Sequence, residues 1–158
     1  GVPNTGKSTL MNALMPKNVG KTGNHPGVTR GKQWVRIGTD LELLDTPGVL
    51  WPKFDDPTVA FALAVTGAIS MDVLDEESVA CSLIRFLSRT QPEALQTRYK
   101  ITTLNSDPFL VLTDIGKSRG LLAGGGKIKT NEAAALFLAE FRNGKLGRFT
   151  IDQPPLKV

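Results

Sequence analysis

The chain opens GVPNTGKSTL, which sets Gly1, Gly6, Lys7 and Ser8 at the spacing G-x-x-x-x-G-K-S. In that pattern the glycines let backbone N–H groups of residues 4–9 close around phosphate oxygens while the lysine reaches the outer phosphates. Asn4, Thr5, Gly6, Lys7, Ser8 and Thr9 are therefore candidate phosphate contacts, and the Ser8 hydroxyl is a candidate magnesium ligand. Two later stretches supply the same chemistry. Thr29, in PGVTR, lies in a polar loop suited to closing over the metal and the γ-phosphate. Asp45, in LELLDTPG, ends an apolar run where a carboxylate can hold a metal through water, and Gly48 offers a backbone N–H to the γ-phosphate. Lys7, Thr29 and Gly48 are the candidate catalytic groups, and Ser8, Thr29 and Asp45 the candidate magnesium set. In this order they make a nucleotide-dependent switch.

Such groups act only if strands and helices hold them. STLMNALM predicts a helix directly after the loop, with Leu10, Leu14 and Met11, Met15 spaced i, i+4. A loop of this kind hangs between a strand and a helix, and no strand precedes Gly1, so a strand of the same sheet is expected upstream. PKNVGKTGNHPGVTRG reads as a long polar loop; KQWVRI and LELLDTPG read as two strands joined by a tight GTD turn. From DDPTVAFALAVTGAI onward the pattern is helical. DEESVACSLIRFLSRT places Val79, Leu83, Phe86 and Leu87 on one face behind an acidic first turn. QPEALQTRYK predicts a short helix with Pro92 in its first turn, and DPFLVLTDIGKSRG a helix ending near Gly116 or Gly120. TNEAAALFLAEFRNG carries Ala134, Phe137, Leu138 and Phe141 at helical spacing and then a glycine stop. GRFTIDQPP suggests a short extended piece. The expected organisation is residues 1–51 as a partial α/β nucleotide-binding domain, 52–59 as a linker, and 60–158 as a helical domain.

Composition bounds the possibilities. The 158 residues are 41% hydrophobic and 22% charged, with no apolar run approaching the roughly 20 residues a membrane span requires. The one cysteine, Cys81, excludes an internal disulfide, suits a reducing compartment, and reads as a filler of a helix face. The net charge of +4 is uneven: residues 1–51 hold six Lys/Arg against three Asp/Glu, the remainder thirteen against twelve. Within the second part, GKSRGLLAGGGKIK carries Lys117, Arg119, Lys127 and Lys129 without an acid, and RNGKLGR adds Arg142, Lys145 and Arg148. These seven cations are candidate RNA-phosphate contacts or, alternatively, a solvated surface. GGGKIK predicts a flexible basic hairpin; no hydroxyl follows Lys127, so a second nucleotide loop is not expected. Phe86, Phe137 and Phe141 fit a core better than base stacking.

GVPNTGKST, PGVTR and DTPG together resemble the Era-type and ribosome-assembly GTPases, in which Thr29 takes the place of the switch I threonine and Asp45 to Gly48 begin switch II. A guanine-reading N-K-x-D should accompany them, yet only NSDP at Asn105 to Asp107 comes near, without the lysine. That gap and the missing strand together suggest a circular permutation with the base-reading motif upstream. GVLWPKF, LAVTGAI, RFL, RYK and GRFTIDQP agree: they resemble the C-terminal part of the ribosome biogenesis GTPase A family across nearly the whole chain. The resemblance implies a circularly permuted α/β P-loop GTPase, partial here, followed by a small all-α C-terminal domain. It also implies GTP/GDP and magnesium as cofactors, the large ribosomal subunit and rRNA as partners, a monomer in the cytoplasm or alternatively an organelle, and neither membrane nor DNA binding. Asn4 stands where related GTPases hold potassium, although it also suits the loop backbone. Val49 occupies the place where many relatives carry a water-orienting glutamine, an apolar side chain that cannot do that work. The resemblance implies that a group upstream does so; His25, this chain's only histidine, is otherwise a solvated loop residue. The fragment alone is expected to bind GTP poorly. Competing readings are an RNA- or protein-binding adaptor with a degenerate nucleotide site, a nonpermuted GTPase with an unusual downstream domain, and an ATPase.

Overall fold

The computed structural model describes residues 2–14, 31–37, 41–50, 54–70 and 74–151. The chain divides into two compact units, residues 1–70 and 71–158.

In the first unit the loop of residues 2–6 leads into helix α1 (Lys7–Leu14), whose Met11 is buried. Strands β1 (Gln33–Ile37) and β2 (Leu41–Asp45) then form an antiparallel hairpin, with Trp34 opposite Leu44 and Arg36 opposite Glu42. The period-2 alternation puts those four on one exposed face, where the Arg36 guanidinium donates to Glu42 Oε1 from Nη2 at 2.9 Å and from Nε at 3.1 Å. α1 packs on β2. Helix α2 (Pro57–Val65) starts at an Asp56 cap that accepts from Thr58 N at 2.7 Å, with Pro57 in the first turn where its missing N–H costs nothing. It lies in the first unit. The division therefore falls after Ser70, whereas the sequence places the joint at residues 52–59.

The second unit contains α3 (Glu76–Thr90), α4 (Pro92–Tyr99), α5 (Pro108–Ser118) and α6 (Thr130–Arg142). Two of these helices start at an aspartate cap. Asp75 caps α3 through Ser78 N at 3.1 Å, and Asp107 caps α5 through Phe109 N at 2.9 Å. Asn105 Oδ1 in turn accepts from Asp107 N at 2.9 Å. The NSDP stretch is thus a helix start in this unit. α3 packs on α4, α5 and α6. Its buried stripe is Ala80, Leu83, Ile84 and Leu87, and Val79 and Phe86 are only half-buried, so the stripe is turned by one position from the expected face. Val111, Leu112 and Ile115 of α5 meet Ala133, Ala134, Phe137 and Leu138 of α6 in the same core. Burying each large side chain removes it from water at a gain of roughly 1.5–3 kcal/mol. Phe141, at the edge, stacks on Phe149 with centroids 5.5 Å apart.

Between α5 and α6, Leu122 and Ile128 form an isolated antiparallel bridge around a 3-10 turn at Gly124–Gly126. This is the basic hairpin expected from GGGKIK. Residues 148–151 form no strand, and the rest of the expected extended piece, residues 152–155, lies outside the described residues. Cys81 is half-buried on α3, and burial pushes its thiol pKa up. Among the described residues no helix is long and apolar enough to cross a membrane.

Candidate functional site

The loop of residues 2–6 is shaped by two left-handed residues, Asn4 (φ 55) and Gly6 (φ 83). Left-handed conformations alternating with right-handed ones turn successive N–H groups toward one side, which makes an anion-binding hollow at the start of α1. Gly6 O accepts from Leu10 N at 2.8 Å, fixing the first helical turn directly behind that hollow. Lys7, half-buried, folds back so that its Nζ donates to Val2 O at 2.6 Å, and Thr5 Oγ1 donates to the same carbonyl at 3.0 Å. The ammonium thus spans the loop it belongs to. Asn4 Nδ2 donates to Gly67 O at 3.3 Å, tying the loop to the end of α2.

Ser8 is the second residue of α1 and half-buried; Thr9 follows it, exposed. Asp45 closes β2, opposite Gln33 in the register. Gly48, three residues on, approaches the loop so closely that a Cβ there would lie 2.6 Å from Pro3 N and 2.9 Å from Pro3 Cγ. The structure therefore brings Gly48 and the phosphate loop together. Val49 is exposed. Thr29 and His25 lie outside the described residues.

The Gly48 contact is with backbone, which cannot swing aside. Gly48→Ala is expected to displace residues 2–4 or the turn after β2 and to destabilise the first unit by about 1–3 kcal/mol. Equal thermal midpoints for parent and variant would show that the approach is not tight.

The seven cations proposed for RNA divide. Lys127, Lys145 and Arg148 are exposed, and Arg142 ends α6, where a cation suits the helix dipole. Lys117 pairs with Asp114 at 2.9 Å and Lys129 with Glu132 at 2.8 Å, both at the surface. Arg119 serves the interior. Its Nη2 donates to Glu140 Oε2 at 3.2 Å and its guanidinium lies 5.1 Å from the Tyr99 ring centroid.

Glu140 is buried on α6 and collects more than Arg119. Arg98 bonds it bidentately at 2.6 and 3.0 Å, and Tyr99 O–H donates to it at 2.9 Å. The Arg98 bonds hold its carboxyl down at about 2, against the opposing effect of burial, with Tyr99 and Arg119 adding to the shift. Burial first and the Glu140 hydrogen bond second push the Tyr99 phenol pKa far above its usual value. Sequence reading missed this cluster. The available signal was Glu140 itself, three residues after Phe137 and seven after Ala133, a charge on the apolar stripe of α6.

The groups around the loop fit a nucleoside triphosphate: a left-handed hollow of N–H donors, a lysine crossing it, a hydroxyl on the first helical turn and a carboxylate-ending strand beside the helix.

Residues 1–114 match a family model described as 50S ribosome-binding GTPase. The chain is 48% identical over 154 residues to ribosome biogenesis GTPase A of Priestia megaterium, covering 98% of this chain and 54% of the relative. It is 31% identical over 154 residues to ribosome biogenesis GTPase A of Thermotoga maritima, covering 98% and 55%. It spans about half the length of the curated relatives it matches. A GNP-bound YlqF structure from T. maritima aligns with a TM-score of 0.61 at 28% identity, over 98% of this chain and 57% of that one. A GDP-bound YlqF structure aligns with a TM-score of 0.60 at 28% identity, over 98% and 58%.

Proposed function

Because the chain belongs to the 50S ribosome-binding GTPase family, we propose that the protein containing it binds and hydrolyses GTP while assembling the large ribosomal subunit. The observation that carries this reading is the loop geometry: Lys7 across a left-handed hollow, with Gly48 seated against Pro3. Phosphoryl transfer to water needs developing charge on the phosphate oxygens to be met by fixed donors. Lys7 and the N–H groups of residues 4–9 supply these. Ser8, Thr29 and Asp45 are the residues that would hold magnesium, whose chemistry is to neutralise charge on the outer phosphates. Asn4, whose Nδ2 donates to Gly67 O, is the residue assigned to potassium. Guanine selection is assigned to residues ahead of Gly1, in the permuted order that the ribosome biogenesis GTPase A resemblance implies. The helical unit holds rRNA through Lys127, Lys145, Arg148 and their neighbours, contacts that position without reading sequence.

The test is GTP turnover by the full-length protein in potassium and in sodium, alongside its association with large subunits across a salt series. Turnover should be faster in potassium; equal rates remove the Asn4 assignment, and absence of GTP turnover removes the enzyme reading. Reversing Lys127 and Lys129 to Glu should weaken subunit association and flatten its salt dependence. Unchanged binding counts against that surface.

A further inference from the structure

In the second unit, Arg98, Tyr99, Lys100, Ser118 and Arg119 line a cavity of about 360 Å³ where the end of α4 meets the end of α5. Three cations stand at this wall. The acid beside them, Glu140, already accepts two bonds from Arg98, one from Tyr99 and one from Arg119. Its single negative charge leaves the wall with an excess of two positive charges. Arg119 Nε is buried without a hydrogen-bond partner among the described residues.

Lys100 is the informative member. It caps α4 in the left-handed conformation, φ 57 and ψ 39, and among the described residues only it and Asn4 do so without being glycine. Glycine fills such a position without steric cost, so a lysine there is unfavourable for the backbone. Among the described residues Lys100 also makes no ion pair. Its side chain is exposed at the rim of the cationic cavity. A lysine in a backbone conformation that favours glycine, exposed and without an ion-pair partner among the described residues, leaves its ammonium open to a phosphate from outside.

We propose that this cavity seats a backbone phosphate of RNA, with Lys100 as the closing charge and Arg98 and Arg119 as a wall pre-positioned by Glu140. The inference rests on the rRNA-binding reading of the helical unit and gives it a defined pocket apart from the Lys127 hairpin. Fixed guanidinium groups lose little freedom on meeting phosphate.

The test uses the full-length protein and in vitro transcribed large-subunit rRNA, with affinity measured across a salt series and thermal midpoint measured in parallel. Lys100→Gly relieves the backbone, so its midpoint should equal or exceed the parent's. Its affinity should fall about 3- to 10-fold, and its salt slope should shrink by about 0.7–0.9, the change expected for one lost phosphate contact. Lys100→Arg, which keeps the charge, should retain most of the affinity. A merely structural lysine predicts the reverse pattern, stability changing and binding not. If Lys100→Gly binds like the parent while the Lys127→Glu, Lys129→Glu protein binds weakly, the pocket is overturned and the RNA reading stands. If the parent itself shows no salt-dependent binding, the RNA reading falls and takes the pocket with it.

Discussion

Glu140→Gln lowers the thermal midpoint of the helical unit by about 10 °C or more. Removing the charge leaves Arg98 and Arg119 beside a neutral amide that cannot accept from both and from Tyr99 as the carboxylate does. Breaking a buried ion cluster on one side costs about 3–5 kcal/mol, because uncompensated charge stays behind. Here the side chains of Arg98 and Arg119 are 32% and 28% exposed, so water screens part of that and about 2–3 kcal/mol is expected. The pH dependence follows from the same carboxyl. Its pKa is held at about 2 in the folded chain against an ordinary value of 4.5. Its contribution is therefore complete above about pH 4.5 and is lost as pH falls from there toward 2. Tyr99 works at the other end: with its phenol pKa raised, stability is present below its ordinary value of 10.0 and declines as pH rises beyond it. Denaturant midpoints from pH 2 to 7 check the first claim. The parent should lose stability steeply across the acid window and Glu140→Gln should lose less, whereas parallel curves would show that Glu140 is not the group responsible.

Lys7→Ala in the full-length protein should depress GTP turnover by about 10²–10³-fold, the usual consequence of removing one donor aimed at transferring charge. Folding should barely respond, because the native bond it gives up is one partly exposed contact to Val2 O. Lys7→Arg should not rescue, since a planar fork does not occupy the place of a compact ammonium on a long stem. Single-turnover hydrolysis, with the thermal midpoint as control, measures both. Turnover at the parent rate would remove Lys7 from the chemistry.

The sequence foretold the elements whose causes are local. The apolar runs of β1 and β2, Pro92 in the first turn of α4, and the i, i+3, i+4 spacing of α3 and α6 each act within a turn or two, and each element appears. The candidate site was legible for the same reason: Gly6, Lys7 and Ser8 lie within three residues, and Gly48 announces itself in DTPG. What escaped depends on distance along the chain. Glu140 meets Arg98 across 42 residues and Arg119 across 21, so neither arginine could be recognised as internal from its neighbours. Arg119 consequently reads as one more surface cation in GKSRG. Ala80 and Ile84 are buried on α3, which packs against α4, α5 and α6, and a helix contacting three others buries a broader face than periodicity alone suggests.

The bond from Lys7 to Val2 O uses one of the three N–H donors of the ammonium, so the loop anchors the charge and leaves two donors for an incoming phosphate. Capture at this loop therefore adds acceptors to a cation already held in place, and little of the freedom of its long stem remains to be lost on binding.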